Sequence, residues 1–94
     1  MRQINILEKA GAFAENKDIA RAIRIGEIIP ALNNHEEVIL DFNGVTAATQ
    51  SFVHALISAA IRKYGSEAMD KISFKSCNNT VKEIINIVVD YMQD

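Results

Sequence analysis

VILDFNGVTAATQSF, residues 38–52, carries the chain from an apolar strand through a short loop onto the first turn of a helix. Val38, Ile39 and Leu40 form a continuous apolar run with Phe42 just beyond Asp41, the pattern of a central strand covered on both faces. Asn43-Gly44 then breaks the strand, and Thr46 and Thr49 are turn and cap residues. From Val53 onward the apolar spacing becomes helical. Gln50 and Ser51 therefore fall at the open N-terminus of a helix, at the carboxyl end of a buried strand, where α/β sheets expose their functional groups.

Downstream, Val53, Leu56, Ile57, Ala60, Ile61 and Tyr64 recur at helical spacing. Arg62 and Lys63 favour the negative end of that helix, and Gly65 stops it. Residues 66–71 read as a polar connection, and Ile72-Ser73-Phe74-Lys75 alternates as a strand. Thr80 and Glu83 have the spacing of a capping box before an apolar run. Val81, Ile84, Ile85, Val88 and Met92 give this last helix a buried face. Ile87 and Val89 fall beside it, which implies a second covered side or a surface for a partner or a second copy.

Upstream, residues 2–7 alternate as a short strand, Gly11 punctuates, and Ala12-Phe13-Ala14 is a candidate second strand. Asn16 or Asp18 can cap a helix running from near Ile19 to about Leu32. That helix carries two apolar stripes: Ile19, Ala22, Ile23 and Gly26, then Ile25, Ile28, Ile29 and Leu32. Pro30 would press its ring on the Gly26 carbonyl in a straight helix. The phase shift and the proline together predict a bend near Gly26–Pro30, with the displaced isoleucines in the core. Asn33-Asn34-His35 ends the helix as an exposed polar turn. The order of elements describes a small single α/β domain with a mixed sheet of about four strands and three main helices.

The segment LDF, then Gly44-Val45, a polar loop, Ser51 and a helix resembles the STAS family, which includes sulfate-transporter domains and anti-sigma-factor antagonists. It is most similar to the small bacterial STAS-like proteins of unknown function, and the similarity covers Val38 to about Tyr64. In the antagonists a serine at the start of this helix is phosphorylated by a partner kinase, and Ser51 falls on that position. The resemblance thus implies a protein partner, a kinase-like ATPase of the anti-sigma type. The family's Asp-Ser-Ser-Gly signature is here Thr49-Gln50-Ser51-Phe52, without the preceding acid and the following glycine.

With 94 residues the chain is expected to be one domain. Hydrophobic residues make up 49% and charged residues 23%, which excludes a disordered composition. A net charge of −2 with dispersed signs lacks the basic footprint of a nucleic-acid binder. The one cysteine, Cys77, leaves no internal disulfide and suits a reducing compartment. No stretch has the layout of a signal peptide or the length of a membrane span, so a cytoplasmic protein is expected.

Ser51 is the leading candidate for chemistry. A phosphate there would meet free backbone N–H groups and the positive end of the helix dipole, and its charge could dismiss a partner without refolding the domain. By residue type alone, Thr49 or Ser51 more often simply caps a helix. The expected partner surface is Thr46, Thr49, Gln50, Ser51, Phe52 and His54. Ser51 and His54 lie three apart, but a serine nucleophile also needs an oriented base, an oxyanion site and usually a G-x-S-x-G elbow, so no catalytic residue is assigned. Asp41 is read as a brace for the loop beyond Asn43 or for Thr46. No cysteine or histidine cluster supports a metal, no glycine-rich loop supports a phosphate cofactor, and Arg21 and Arg24 read as a solvated face. The sequence reading is a non-enzymatic regulatory interaction domain. Its alternatives are a constitutive homodimerising module with Ser51 as a helix cap, and small-anion or nucleotide binding at the same helix N-terminus.

Overall fold

The computed structural model describes residues 1–92. Three strands, β1 (Arg2–Asn5), β3 (Val38–Asp41) and β5 (Ile72–Lys75), form a sheet in the order β1-β3-β5. Two very short strands, β2 (Phe13–Ala14) and β4 (Ala47–Ala48), form a separate pair. Every pairing is parallel, so the expected mixed sheet gives way to two small parallel ones. The reason lies in the connections. Helices fill both the β1-to-β3 and β3-to-β5 crossovers, and a helical return sends each new strand in the same direction as the last. The α/β class stands.

The register aligns Ile4 with Leu40 and Leu40 with Phe74, and Arg2 with Val38 and Val38 with Ile72. Ile4, Val38 and Leu40 on this face are buried. The opposite face carries Gln3, Ile39 and Ser73 in one row and Asn5, Asp41 and Lys75 in the next. Ile39 is half-buried and Gln3, Asn5, Ser73 and Lys75 are exposed. The central strand is therefore covered on one face rather than both. Its continuous apolar run misleads because Ile39 sits between two polar neighbours on the open side.

The first strand ends earlier than its alternation suggests. Asn5 caps a short helix, α1 (Ile6–Ala10), by accepting from the Glu8 amide at 3.0 Å. Asn16 caps the next helix, α2 (Lys17–Ile23), accepting from the Asp18 and Ile19 amides. Instead of a simple bend, Arg24–Ile28 forms a turn of π-helix that leads into α3 (Ile29–Asn33). The Ile29 amide reaches back five residues to the Arg24 carbonyl. Pro30 has no N–H to extend an α-helical ladder, and the wider turn relieves its ring against the preceding carbonyls. The buried positions follow the same step: Ala20 and Ile23, then five residues on Ile28, then Ala31 and Leu32. Ile25 is the one displaced isoleucine left mostly in water, at 60% exposure.

The long helix α4 (Gln50–Tyr64) is the hub, packing against α2, the π turn, α6 (Asn79–Met92) and α5 (Ser66–Lys71). Phe52, Val53, Leu56, Ile57, Ala60 and Ile61 are its buried apolar residues at helical spacing, with Ser58 buried among them, and Gly65 ends it at φ 59°. The helix α6 contributes Val81, Ile85 and Val88 to the same core. Its cap is Asn78 rather than Thr80: the Asn78 Oδ1 accepts from the Val81 amide at 2.8 Å. No helix among the described residues is long and apolar enough to cross a membrane.

Candidate functional site

The loop between β3 and α4 is held from four directions. Asp41 accepts from the Asn43 amide at 2.9 Å with one carboxylate oxygen and from Gln3 Nε2 at 3.1 Å with the other. This is the expected brace, made through Asn43 rather than Thr46. The Ala12 carbonyl accepts from the Thr46 amide at 2.8 Å and from the Thr46 hydroxyl at 3.0 Å. The β2–β4 pair aligns Phe13 with Ala47 and Ala14 with Ala48, and the Thr49 amide continues it to the Ala14 carbonyl at 3.0 Å. From the far side, Asn78 Nδ2 donates to the Thr46 carbonyl at 2.9 Å and to the Val45 carbonyl at 3.4 Å. Backbone groups of the loop thus have protein partners, which makes it a fixed platform.

At the end of this platform Thr49 caps α4, its Oγ1 accepting from the Phe52 amide at 3.1 Å. Gln50 and Ser51 follow in the first turn, both exposed. Thr49 fills the capping role, so Ser51 is not the cap, and among the described residues its hydroxyl has no hydrogen-bond partner. Phe52, expected on the partner surface, is fully buried. It points into the core because the first apolar position of α4 falls under the helix, and it anchors the turn that presents Ser51. Thr46 is exposed, yet its hydroxyl is engaged with Ala12. Of the six expected surface residues, Gln50, Ser51 and His54 have side chains available on one side of α4.

Those three open onto a groove of about 460 Å³. One wall is α4, with Gln50, Ser51, His54 and Ala55; α6 supplies Ile87, Val88 and Tyr91, and α2 supplies Lys17. The structure therefore brings together the serine of the loop and Ile87 of the last helix, whereas Val89, the other surplus apolar residue, is half-buried against the core on a different side. No hydrogen bond joins Ser51 to His54 among the described residues.

Three residues near the site were misjudged or missed. Asn78 joins the loop to α6, a role hidden by the capping box two residues later. Arg24, read as a solvated surface residue, donates from Nη1 to the Ala55 carbonyl of α4 at 3.2 Å. Lys17 precedes the expected helix start and so escaped attention. Cys77, half-buried beside Asn78, has its thiol pKa raised, first by burial and further by the Asp41 carboxylate, with Lys82 opposing. A proton-retaining thiol is a poor nucleophile.

Residues 23–82 match the profile of a family described as a STAS-like domain of unknown function (DUF4325). The match runs from the end of α2 through β3, the loop, α4 and β5 to the start of α6. Neither curated proteins nor solved structures give a significant match to the chain.

Proposed function

The chain belongs to this STAS-like domain family, and from that premise we propose that it is a non-enzymatic regulatory domain that binds a protein partner. The contact surface is the start of α4, with Gln50, Ser51 and His54, and Ser51 is the control point. One observation carries the reading: Ser51 stands exposed on a hydrogen-bonded platform where Thr49 performs the capping, and its hydroxyl has no hydrogen-bond partner among the described residues. A phosphate on that oxygen would add nearly two negative charges at the rim of a groove without disturbing any hydrogen bond of the fold. By family resemblance the partner is a kinase-like ATPase of the anti-sigma type.

The test is a quantitative pull-down from native lysate with wild type, Ser51→Ala and Ser51→Glu as baits. A partner retained by the alanine variant and lost by the glutamate variant supports the switch. A partner that binds all three equally removes Ser51 from control. Exposed Ile87, at 48%, favours a second reading, constitutive self-assembly through α6. Sedimentation across a concentration series decides it: a tight dimer that Ile87→Asp dissociates supports assembly, and a monomer throughout excludes it.

A further inference from the structure

The groove has two walls that a loop-centred contact does not use. On α6, Ile87 and Tyr91 are 48% and 72% exposed, lie four residues apart and so share a helix face, and both line the groove. On α2, Lys17 is exposed at the rim and makes no ion pair among the described residues. The remaining lining adds the His54 imidazole and two uncharged hydrogen-bonding side chains, with no carboxylate among the described residues. A concave site of this volume suits a few side chains. Among the described residues its one formal charge is the Lys17 ammonium, and its apolar pair loses contact with water only when something fills it.

We propose that this groove docks a short segment of a partner protein in which an apolar side chain, seated on Ile87 and Tyr91, lies beside a carboxylate directed to Lys17 and His54. The proposal rests on the interaction-domain reading above and extends it by naming the chemistry of the partner. Charge complementarity selects the occupant: Lys17 attracts a carboxylate and repels a basic segment, and a purely apolar one gains nothing from the cation.

The test is a chemical-shift titration of the ¹⁵N-labelled chain with two N-acetylated, C-terminally amidated tetrapeptides. Both have a leucine–phenylalanine centre; one has glutamate at each end and the other lysine. The acidic peptide is expected to shift the amides of Ser51, His54, Ile87 and Tyr91 and to bind about fivefold tighter than the basic one. Lys17→Glu should reverse that preference. Ile87→Asp, a change at a half-exposed position, should abolish binding while the spectrum stays dispersed. Equal binding of the two peptides, shifts confined to another face, or no shifts at millimolar peptide would overturn the proposal. A dimer dissociated by Ile87→Asp, together with no peptide shifts, would assign the groove to a second copy instead. The two ideas fail separately. A Ser51-sensitive partner with a silent groove leaves the regulatory reading standing, and groove binding with a Ser51-indifferent partner leaves the docking chemistry standing.

Discussion

Asn78 Nδ2 donates to the Thr46 carbonyl at 2.9 Å, fastening the loop before α4 to the residue that caps α6. The same side chain accepts from the Val81 amide through its other terminal atom. One asparagine thus sets the spacing between the start of α6 and the platform that presents Ser51. Asn78→Ala should cost about 2 kcal/mol, the sum of a lost cap and lost loop contacts. Asn78→Asp keeps the cap but sets a carboxylate against two carbonyls, so it should recover about half of that loss. Urea denaturation measures both. In the aspartate variant, faster hydrogen exchange at the Thr46 amide would report the loosened loop while α6 stays protected.

Gly44 holds φ 85°, and a methyl group added there would lie 2.6 Å from Leu7 Cδ2. Gly44→Ala combines backbone strain with a steric conflict. Because Leu7 is partly exposed and its side chain can turn away, strain should dominate, and the change should cost about 1–2 kcal/mol. A double-mutant cycle with Leu7→Ala separates the two causes. The loss on Gly44→Ala should shrink only slightly in the Leu7→Ala background; its disappearance would show that crowding, not conformation, demands the glycine.

Gly26 is the opposite case. It lies in the π turn with negative φ, and a methyl group there meets nothing within 4 Å. Gly26→Ala should therefore stabilise the chain by about 0.5–1 kcal/mol by restricting the unfolded state. Thermal and urea midpoints should both rise. A fall would mean that the π turn depends on glycine itself rather than on Pro30.

The contrast between these two glycines shows what the sequence could and could not convey. Periodicity located the three main helical segments but not the short α1 or α5, which were read as strand and as polar connection, and the clash of Pro30 with its preceding turn located the irregularity, because both depend on local geometry. The change in phase between Ile23 and Ile28 was visible, whereas its form as a π turn depends on which carbonyl the Ile29 amide selects. The parallel sheet was hidden because strand direction follows from how helices pack back, a long-range matter. The exposed position of Ser51 in the first turn of α4 was legible from its place between strand and helix. Phe52 was misplaced because one residue of helical rotation, about 100°, separates the surface from the core. The groove could not be read at all, since Lys17, Ser51 and Ile87 meet only through the packing of α2 and α6 on α4.

Cys77 gives a pH-dependent outcome. Burial and Asp41 raise its thiol above the ordinary value, against Lys82. The folded chain thus holds the proton more tightly than the unfolded chain. Its contribution to stability is complete below the unfolded thiol's range and is lost as pH rises through that range toward the higher native value. Cys77→Ser should flatten the alkaline limb of the stability profile. Iodoacetamide should alkylate native Cys77 more slowly than a free thiol at mildly alkaline pH, and urea should abolish the difference. Equal rates in the native and unfolded chain would refute the protected thiol.

Thr49 and Ser51 differ by two positions and should differ in kind. Thr49 Oγ1 accepts the Phe52 amide, so Thr49→Ala should cost about 1 kcal/mol of stability. The Ser51 hydroxyl bonds to nothing among the described residues, so Ser51→Ala should change stability by less than about 0.5 kcal/mol. Ser51→Glu places a negative charge in the first turn of α4, where the helix dipole favours it, and should be neutral or stabilising by about 0.3–0.5 kcal/mol. Urea unfolding of the three variants checks the order. If it holds, any partner lost by Ser51→Glu is lost through charge at the surface and not through unfolding, which is the condition a switch must meet. If Ser51→Ala destabilises as much as Thr49→Ala, the serine is part of the scaffold and its exposure carries no regulatory meaning.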